Sequence, residues 1–441
     1  MADQVVLINV RPVVARAPLV LLAALALYCG WAGVRWGIGN TMAETAPASF
    51  AKDPAAAFES AEAAVRLAPQ DPFTHLMLAR LKQYSFDPEA VPQALEEYQR
   101  AAELAPNDYL IWVEAGRARG ALGDAEGGIR MLRRGAELAP SYAQPRWHLG
   151  NALLRAGRNE EAFAELRRAT DADPNLRPQV FNLAWQVYAP DLARVADAVG
   201  KTPEARGQLV AVLAGRGSVE DAQKVWDGLG PDVRRVQSVA ADALARALFA
   251  KGQYRRSLTV LSEGGVPGLA VGQFTDGGFE SDVDAKGRAL FGWNVSQQAG
   301  SLVAMDGRNA HGGRRALRVT FSASTQVDFR NVGQVVAVEP GARYRLSFYV
   351  KTDEFRSAAT LAVMVSEPGA PETIVAASAP AAQGSQNWQP ASFEFTAGPK
   401  TEAVLVRIVR VACAEGTCPI YGKILYDDFS LERVNGRAPA R

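Results

Sequence analysis

Three tripeptides, Leu104-Ala105-Pro106, Leu138-Ala139-Pro140 and Ala172-Asp173-Pro174, recur every 34 residues in the first half of the chain. A fixed period of that length belongs to stacked supersecondary units, none of which can bury its apolar face alone. Between Pro106 and Pro140 the chain carries Trp112, Ala115, Gly116, Gly123, Gly128, Leu132 and Gly135. One period later the corresponding positions hold Arg146, Leu149, Gly150, Gly157, Ala162, Leu166 and Ala169. The small residues fall where two antiparallel helices cross closely and the large ones fill the seam. Each proline closes a second helix because it cannot continue the hydrogen-bond ladder. Such stacks of helical hairpins are usually binding surfaces.

The pattern over residues 71–174 resembles the tetratricopeptide repeat family. An earlier unit ends at Leu67-Ala68-Pro69, 37 residues before Pro106, so it holds three extra residues, placed at Ser85-Phe86-Asp87-Pro88. Past Pro174 the signature decays, but residues 179–199, 203–215, 219–229 and 233–261 read as helical, with a hairpin turn at Gly252-Gln253-Tyr254. The helical domain is set at 46–265, with clear repeats over 55–174 and degenerate ones over 177–265 capping the stack. On the first helix of each hairpin, His75, Lys82, Val113, Arg117, Trp147, Asn151 and Arg155 are left to line an inner groove for a protein partner. Trp147, with Asn151 and Arg155 one and two turns on, is the expected anchor. The alternative is that these residues pack against the next hairpin.

Residues 17–34 contain no charge and are flanked by Arg11, Arg16 and Arg35. At 1.5 Å per residue the run reaches about 27 Å, close to the hydrocarbon thickness of a bilayer. Trp31 and Trp36 suit an interfacial belt, and the arginines before the run favour an inside amino terminus. Residues 1–45 are read as a membrane anchor with a short cytoplasmic tail, leaving the rest extracytoplasmic, as in a periplasmic protein of the inner membrane. A cleaved signal peptide competes with this reading, although no small-x-small site closely follows the apolar core.

Lys plus Arg is 48 and Asp plus Glu is 47, so charge makes no case for nucleic acid. With Cys29 inside the apolar run, Cys413 and Cys418 remain as a pair separated by Ala-Glu-Gly-Thr. In an oxidising compartment such a pair can clamp a hairpin loop as a disulfide; free thiols are the alternative, and a zinc site lacks a second Cys or His pair nearby.

Near residue 265 the texture changes. Gly264-Gly265-Val266-Pro267-Gly268 breaks the helical pattern, and alternation with Gly, Pro and Asn turns follows. Strands are expected over 316–321, 344–351, 392–395, 403–411 and 424–431. Six or more short strands within about 165 residues point to an antiparallel sandwich.

The blocks Gly277-Gly278-Phe279-Glu280, Trp293, Gly313 to Val319, Val338 to Lys351, Trp388, Phe393 to Thr396 and Tyr426 to Glu432 look like a carbohydrate-binding-module jelly roll of the galactose-binding-like type. They cover essentially all of 272–434, within a domain set at 268–435, and 436–441 is read as a disordered tail. The fold class is thus multidomain α and β: a transmembrane helix, an all-α solenoid and an all-β jelly roll. The resemblance implies that calcium ties the first strand to the last, with Glu280 and Asp427 as its ligands. The other possibility for a buried Asp427 is that backbone or Arg donors satisfy it without metal. Asp428 is expected to be solvated.

Sugar recognition uses flat aromatic faces with amides, Arg and Asp reading hydroxyls. Tyr349, beside Arg345 and Lys351 on the face opposite the core set, is the leading candidate. Trp293, Trp388, Gln326, Asp328, Arg330 and Arg407 follow, the two tryptophans also being candidates for plugging the rim of the core.

Catalysis finds little support. His75, His148 and His311 have no metal-ligand spacing, there is no phosphate loop and no nucleophile elbow, and Glu96-Glu97 and Glu160-Glu161 read as solvated helix faces. A glycosidase would need paired carboxylates, for which Asp328 opposite Asp306 or Glu394 is the only arrangement considered. Two readings therefore stand: a membrane-anchored scaffold that docks a protein on its repeats and a glycan on its sandwich, or a structural assembly protein whose sandwich binds no sugar.

Overall fold

The computed structural model describes residues 13–85, 87, 89–282, 289–322, 327–413 and 418–434. Packing divides the chain into two compact units, 1–200 and 201–441.

The first unit is a succession of antiparallel hairpins. α1 (Val13–Ser49) packs on α2 (Pro54–Leu67), α3 (Pro72–Tyr84) on α4 (Ala90–Leu104), α5 (Tyr109–Ala121) on α6 (Ala125–Leu138), and α7 (Ala143–Arg155) on α8 (Asn159–Ala172). α5 and α7 begin at 109 and 143, and α6 and α8 at 125 and 159, so the helices keep the 34-residue period of the sequence. Asp71, Asp108 and Asp124 cap α3, α5 and α6 by accepting from the backbone N–H of Phe73, Leu110 and Gly127. The α5–α6 crossing needs glycine on both sides: a Cβ on Gly116 would sit 2.9 Å from the Gly128 carbonyl, and one on Gly128 would sit 2.7 Å from that of Gly116.

α1 departs from the expected boundary at residue 45. It is the one described helix long and apolar enough to cross a membrane, a property that spans share with signal sequences, and none of its apolar window is buried. The same helix runs on without a break to become the first helix of the first hairpin. Packing starts at Gly39, where a Cβ would lie 3.1 Å from both the Ala64 carbonyl and Ala68, and continues at Ala43 and Ala46. Arg35 donates to the Arg66 carbonyl at 3.0 Å and Asn40 to Asp71 at 2.6 Å, fixing the helix to its neighbours. The segment expected as one helix over 179–199 is two, α9 (Arg177–Tyr188) and α10 (Leu192–Val199), because Pro190 between them cannot donate to a helical ladder.

The second unit holds α11 (Pro203–Gly215), α12 (Val219–Asp227), α13 (Pro231–Arg235), α14 (Ser238–Ala250) and α15 (Tyr254–Glu263), followed, among the described residues, by ten strands. The change from helix to strand falls where the sequence puts it, yet these last helices pack with the strands. Phe249 of α14 meets Phe291 edge-on at 5.4 Å, and the Arg255 N–H donates to Glu402 at 3.1 Å.

β1 (Asn294–Val295), β4 (Val332–Ala337), β9 (Ala403–Arg410), β6 (Leu361–Glu367) and β7 (Ala370–Ala377) form one antiparallel sheet, in that spatial order. β2 (Ser301–Asp306), β3 (Ala316–Phe321), β10 (Tyr421–Arg433), β5 (Arg343–Arg356) and β8 (Gly384–Thr396) form the other. The inward alternation of Leu317 and Val319, Leu346 and Phe348, Val363 and Val365, Val404 and Val406, and Ile424 and Tyr426 fills the space between the sheets.

Candidate functional site

In the repeats, His75, Trp112 and Arg146 each stand six residues after a hairpin-closing proline, and each directs a side-chain nitrogen at that proline's carbonyl. The distances are 3.1 Å to Pro69, 3.0 Å to Pro106 and 3.2 Å to Pro140. One structural role is therefore filled by three residue types, which hides it from sequence comparison. His75, expected in the groove, is buried here with its other ring nitrogen 2.6 Å from Glu97. Val113, also expected to line the groove, is buried in the seam with Ile129 and Leu132. Asn151 donates to the carbonyl of Trp147 at 2.8 Å, within its own helix. Trp147 and Lys82 are half-buried, and Arg117 and Arg155 are exposed. Sequence reasoning missed the polar ladder beside Arg117. Arg80 of α3 lies 3.4 Å and Arg117 3.7 Å from Glu114 of α5, and Arg117 holds the half-buried His148 of α7 below its ordinary range after burial has already lowered it.

At the start of the sandwich, Glu280 accepts from the backbone N–H of Arg314 at 2.8 Å and Arg315 at 3.1 Å, which hold its carboxyl below the ordinary range. Asp427 is fully buried. Burial pushes its carboxyl up, and three backbone donors oppose that: His311 at 2.8 Å, Asp428 at 2.8 Å and Gly312 at 3.2 Å. A calcium cage takes about six to eight oxygens. Among the described residues no three ligand-type side chains converge to hold a metal ion, and both carboxylates face peptide N–H groups. Peptide donors meet both carboxylates, which is the metal-free alternative for Asp427. Asp428, expected to be solvated, is 2.6 Å from His311.

That histidine changes the reading of Tyr349. The Tyr349 ring lies on the outer face of the second sheet, but His311 stacks on it at 3.6 Å and 17°, with Trp388 edge-on to His311 at 5.7 Å. The chain's own imidazole covers one face of that ring. Arg345 is paired with Glu394 at 2.8 Å, and Lys351 donates to Asn309 at 3.3 Å. Trp388 lies within β8 rather than at its start, because the strand begins at Gly384. Trp293 is in the core, stacked on Phe279 at 4.8 Å with its indole N–H on the Asp276 carbonyl. Gln326 lies outside the described residues.

Asp328, Arg330 and Arg407 are brought together on the outer face of the first sheet. They line a hollow of ≈ 330 Å³, with an aliphatic wall of Met364, Ile374 and Val409. Arg330 donates to Asp328 and Glu372, each at 3.1 Å, and Arg407 lies 3.9 Å from Glu372 and donates to the Pro371 carbonyl. Glu372 was not foreseen. Among the described residues no aromatic side chain lines the hollow. Along one edge the buried Arg410 donates to the carbonyls of Ala359, Val327 and Cys418 and to the Ser357 hydroxyl. Cys418 is disulfide-bonded to Cys413, with Cα atoms 6.2 Å apart.

Residues 271–410 match the family model of a carbohydrate binding domain, and residues 121–185 match that of the tetratricopeptide repeat. The chain joins tetratricopeptide repeats to a carbohydrate-binding-type domain. A curated relative is the small glutamine-rich tetratricopeptide repeat-containing protein 2 of Mycosarcoma maydis, 27% identical over 82 residues, which cover 19% of this chain and 23% of that protein. The chain thus spans about a quarter of the relative's length. Among solved structures, a CBM4 domain is 18% identical over 36% of this chain and 99% of its own, with a TM-score of 0.28. MamA from Desulfovibrio magneticus RS-1 is 16% identical over 36% and 90%, with a TM-score of 0.32. YrrB, described as a tetratricopeptide protein with an unusual peptide-binding site, is 17% identical over 47% and 91%, with a TM-score of 0.25.

Two outcomes follow from these side chains. Burial alone would lower the His75 pKa, but the hydrogen bond to Glu97 and the Pro69 carbonyl together outweigh it and raise the value above 6.5. A raised pKa makes the stabilisation complete below about 6.5, the unfolded value, and removes it as pH climbs through the folded one. Melting of the repeats followed by circular dichroism should therefore fall in temperature from pH 6 to pH 8, and His75→Gln should flatten that slope. In the carbohydrate-binding-type domain, Asp427→Leu should lower the melting temperature because three backbone donors lose their acceptor. A chelator should leave the wild-type melt unmoved; a fall on chelation would restore calcium.

Proposed function

We propose that the chain is a non-catalytic adaptor, anchored in a membrane by α1 with its bulk extracytoplasmic, that docks a protein on its repeats and a glycan on its sandwich. The observation that supports the glycan half is the hollow on the first sheet. Arg330, Asp328, Glu372 and Arg407 offer planar hydrogen-bonding groups for hydroxyls, and Met364 and Ile374 offer apolar surface for the C–H face of a sugar. The missing aromatic platform favours binding through hydrogen bonds over stacking. The ladder of Arg80, Glu114 and Arg117 supports a charged partner segment on the repeats. Joining these modules to a membrane helix suits machinery that makes or exports a cell-surface polysaccharide.

One observation favours the structural alternative: the charges of the hollow already pair with one another. In that reading the sheet face meets protein and no sugar.

Calorimetry of the full chain against cellohexaose and xylohexaose, in a detergent without a sugar headgroup, separates the two. Saturable binding that Arg407→Ala weakens about tenfold, the scale of a lost charge-assisted hydrogen bond, is expected. No heat with either hexaose, nor retardation in gels containing bacterial polysaccharides, would leave the structural reading.

For topology, alkaline phosphatase fused after Arg441 should be active in cells, since Arg11 and Arg16 precede the apolar run. An inactive fusion that turns active when residues 1–16 lose their arginines would reverse the orientation.

A further inference from the structure

The sandwich carries a second hollow, of ≈ 670 Å³, where β10 begins against the end of β5. It shares no lining residue with the hollow on the first sheet. Tyr421, Glu354, Arg356 and Gln383 line it.

Local backbone irregularity puts those four groups there. The β10–β5 register shifts between Tyr421 and Lys423, and the β5–β8 register shifts between Thr352 and Phe355. Glu354 sits in the left-handed region at φ 48°, unfavourable for a residue with a side chain, and Gly422 lies at φ 92°. A Cβ on Gly422 would stand 2.3 Å from the Glu354 carbonyl, so only glycine lets the strands pinch together. Bulges of this kind turn side chains out of the regular alternation, and strained residues of this kind cluster at functional sites.

The groups so placed have no occupation within the fold. The neighbouring charges Asp353 and Lys423 pair with each other at 2.9 Å. Among the described residues the side chains of Glu354, Arg356 and Gln383 have no hydrogen-bond or ion-pair partner, and Tyr421 is 41% exposed. The volume lies within the range of about 300–1,000 Å³ typical of small-ligand sites.

We propose that this hollow binds one terminal pyranose unit of a glycan. The carboxylate beside Arg356 disfavours an anion, and the guanidinium beside Glu354 disfavours a cation. What suits both is a neutral ligand with hydroxyls, which donate to Glu354 and accept from Arg356, while Gln383 does either. The exposed Tyr421 ring supplies the flat face against which sugar C–H groups pack. With the first hollow lined by other residues, the sandwich would hold a chain end as well as a chain interior.

The test is saturation-transfer NMR and calorimetry on the full chain, in a detergent without a sugar headgroup, using the methyl pyranosides of glucose, galactose, mannose and xylose. Saturable binding of at least one is expected, weakened about tenfold or more by Tyr421→Ala and by Arg356→Ala. Each variant is checked for an unchanged melting temperature, and Tyr421→Phe, which keeps the ring face, should retain most of the affinity. Binding that Arg407→Ala removes and Tyr421→Ala spares would overturn the proposal while leaving the first hollow as a glycan site. Binding of none of the four would overturn it too, whatever the hexaoses do.

Discussion

Arg410 is the residue on which the end of the sandwich that carries both hollows depends. Its guanidinium is buried at the end of β9, and burial holds its pKa below the ordinary range with only the charge of Asp328 in opposition. Among the described residues no carboxylate bonds to it directly; three backbone carbonyls and a hydroxyl do. A buried charge costs several kcal/mol unless its donors are met, so the segments supplying those acceptors cannot drift apart without exposing the cost. They include Val327 beside Asp328 and Arg330, Ser357 and Ala359 after β5, and Cys418 of the disulfide. The first group borders one hollow and Ser357 the other. One side chain thus fixes the walls of both.

The repeats use a different device for the same end. A side-chain nitrogen six residues beyond each of Pro69, Pro106 and Pro140 reaches back to that proline's carbonyl, which lies just past the end of the preceding helix. Imidazole, indole and guanidinium all do this, so geometry and not residue identity carries the repeat there. With Gly116 and Gly128 allowing α5 and α6 to close, each hairpin is held by its own crossing and by a bond across its junction. The first hairpin adds a consequence for function. Because α1 runs without interruption from its exposed apolar stretch into the seam with α2, whatever holds that stretch also orients the first repeat directly.

Legibility differed sharply between elements. β3 coincides with the expected strand over 316–321, and α11 with the expected helix over 203–215, because one face of each is buried and the period survives in the residues. β6 went unseen: Leu361–Glu367 is buried at nearly every position, so no alternation marks it. β4 is buried in the same manner, with Gln334 inside and bonded to the carbonyls of Thr275 and Phe291. The candidate site divided likewise. Asp328, Arg330 and Arg407 were named from residue type alone, and Tyr349 was correctly given the outer face, while His311 above it was invisible because it comes from a loop 38 residues earlier.

By itself the sequence determined the repeat, the helix-to-strand change near residue 265, the apolar run and the sandwich, since each is written in a local period or in turn residues that act over a few positions. Tertiary structure alone decided which polar groups remain free. Charge and aromaticity are visible in a residue, but whether an arginine is answered by a glutamate 42 residues away, as Arg330 is by Glu372, or a ring is covered, depends on strands that meet only after folding. The availability of Glu354, Arg356 and Tyr421 is of that kind, fixed by two facing bulges and a glycine whose left-handed backbone no composition reveals.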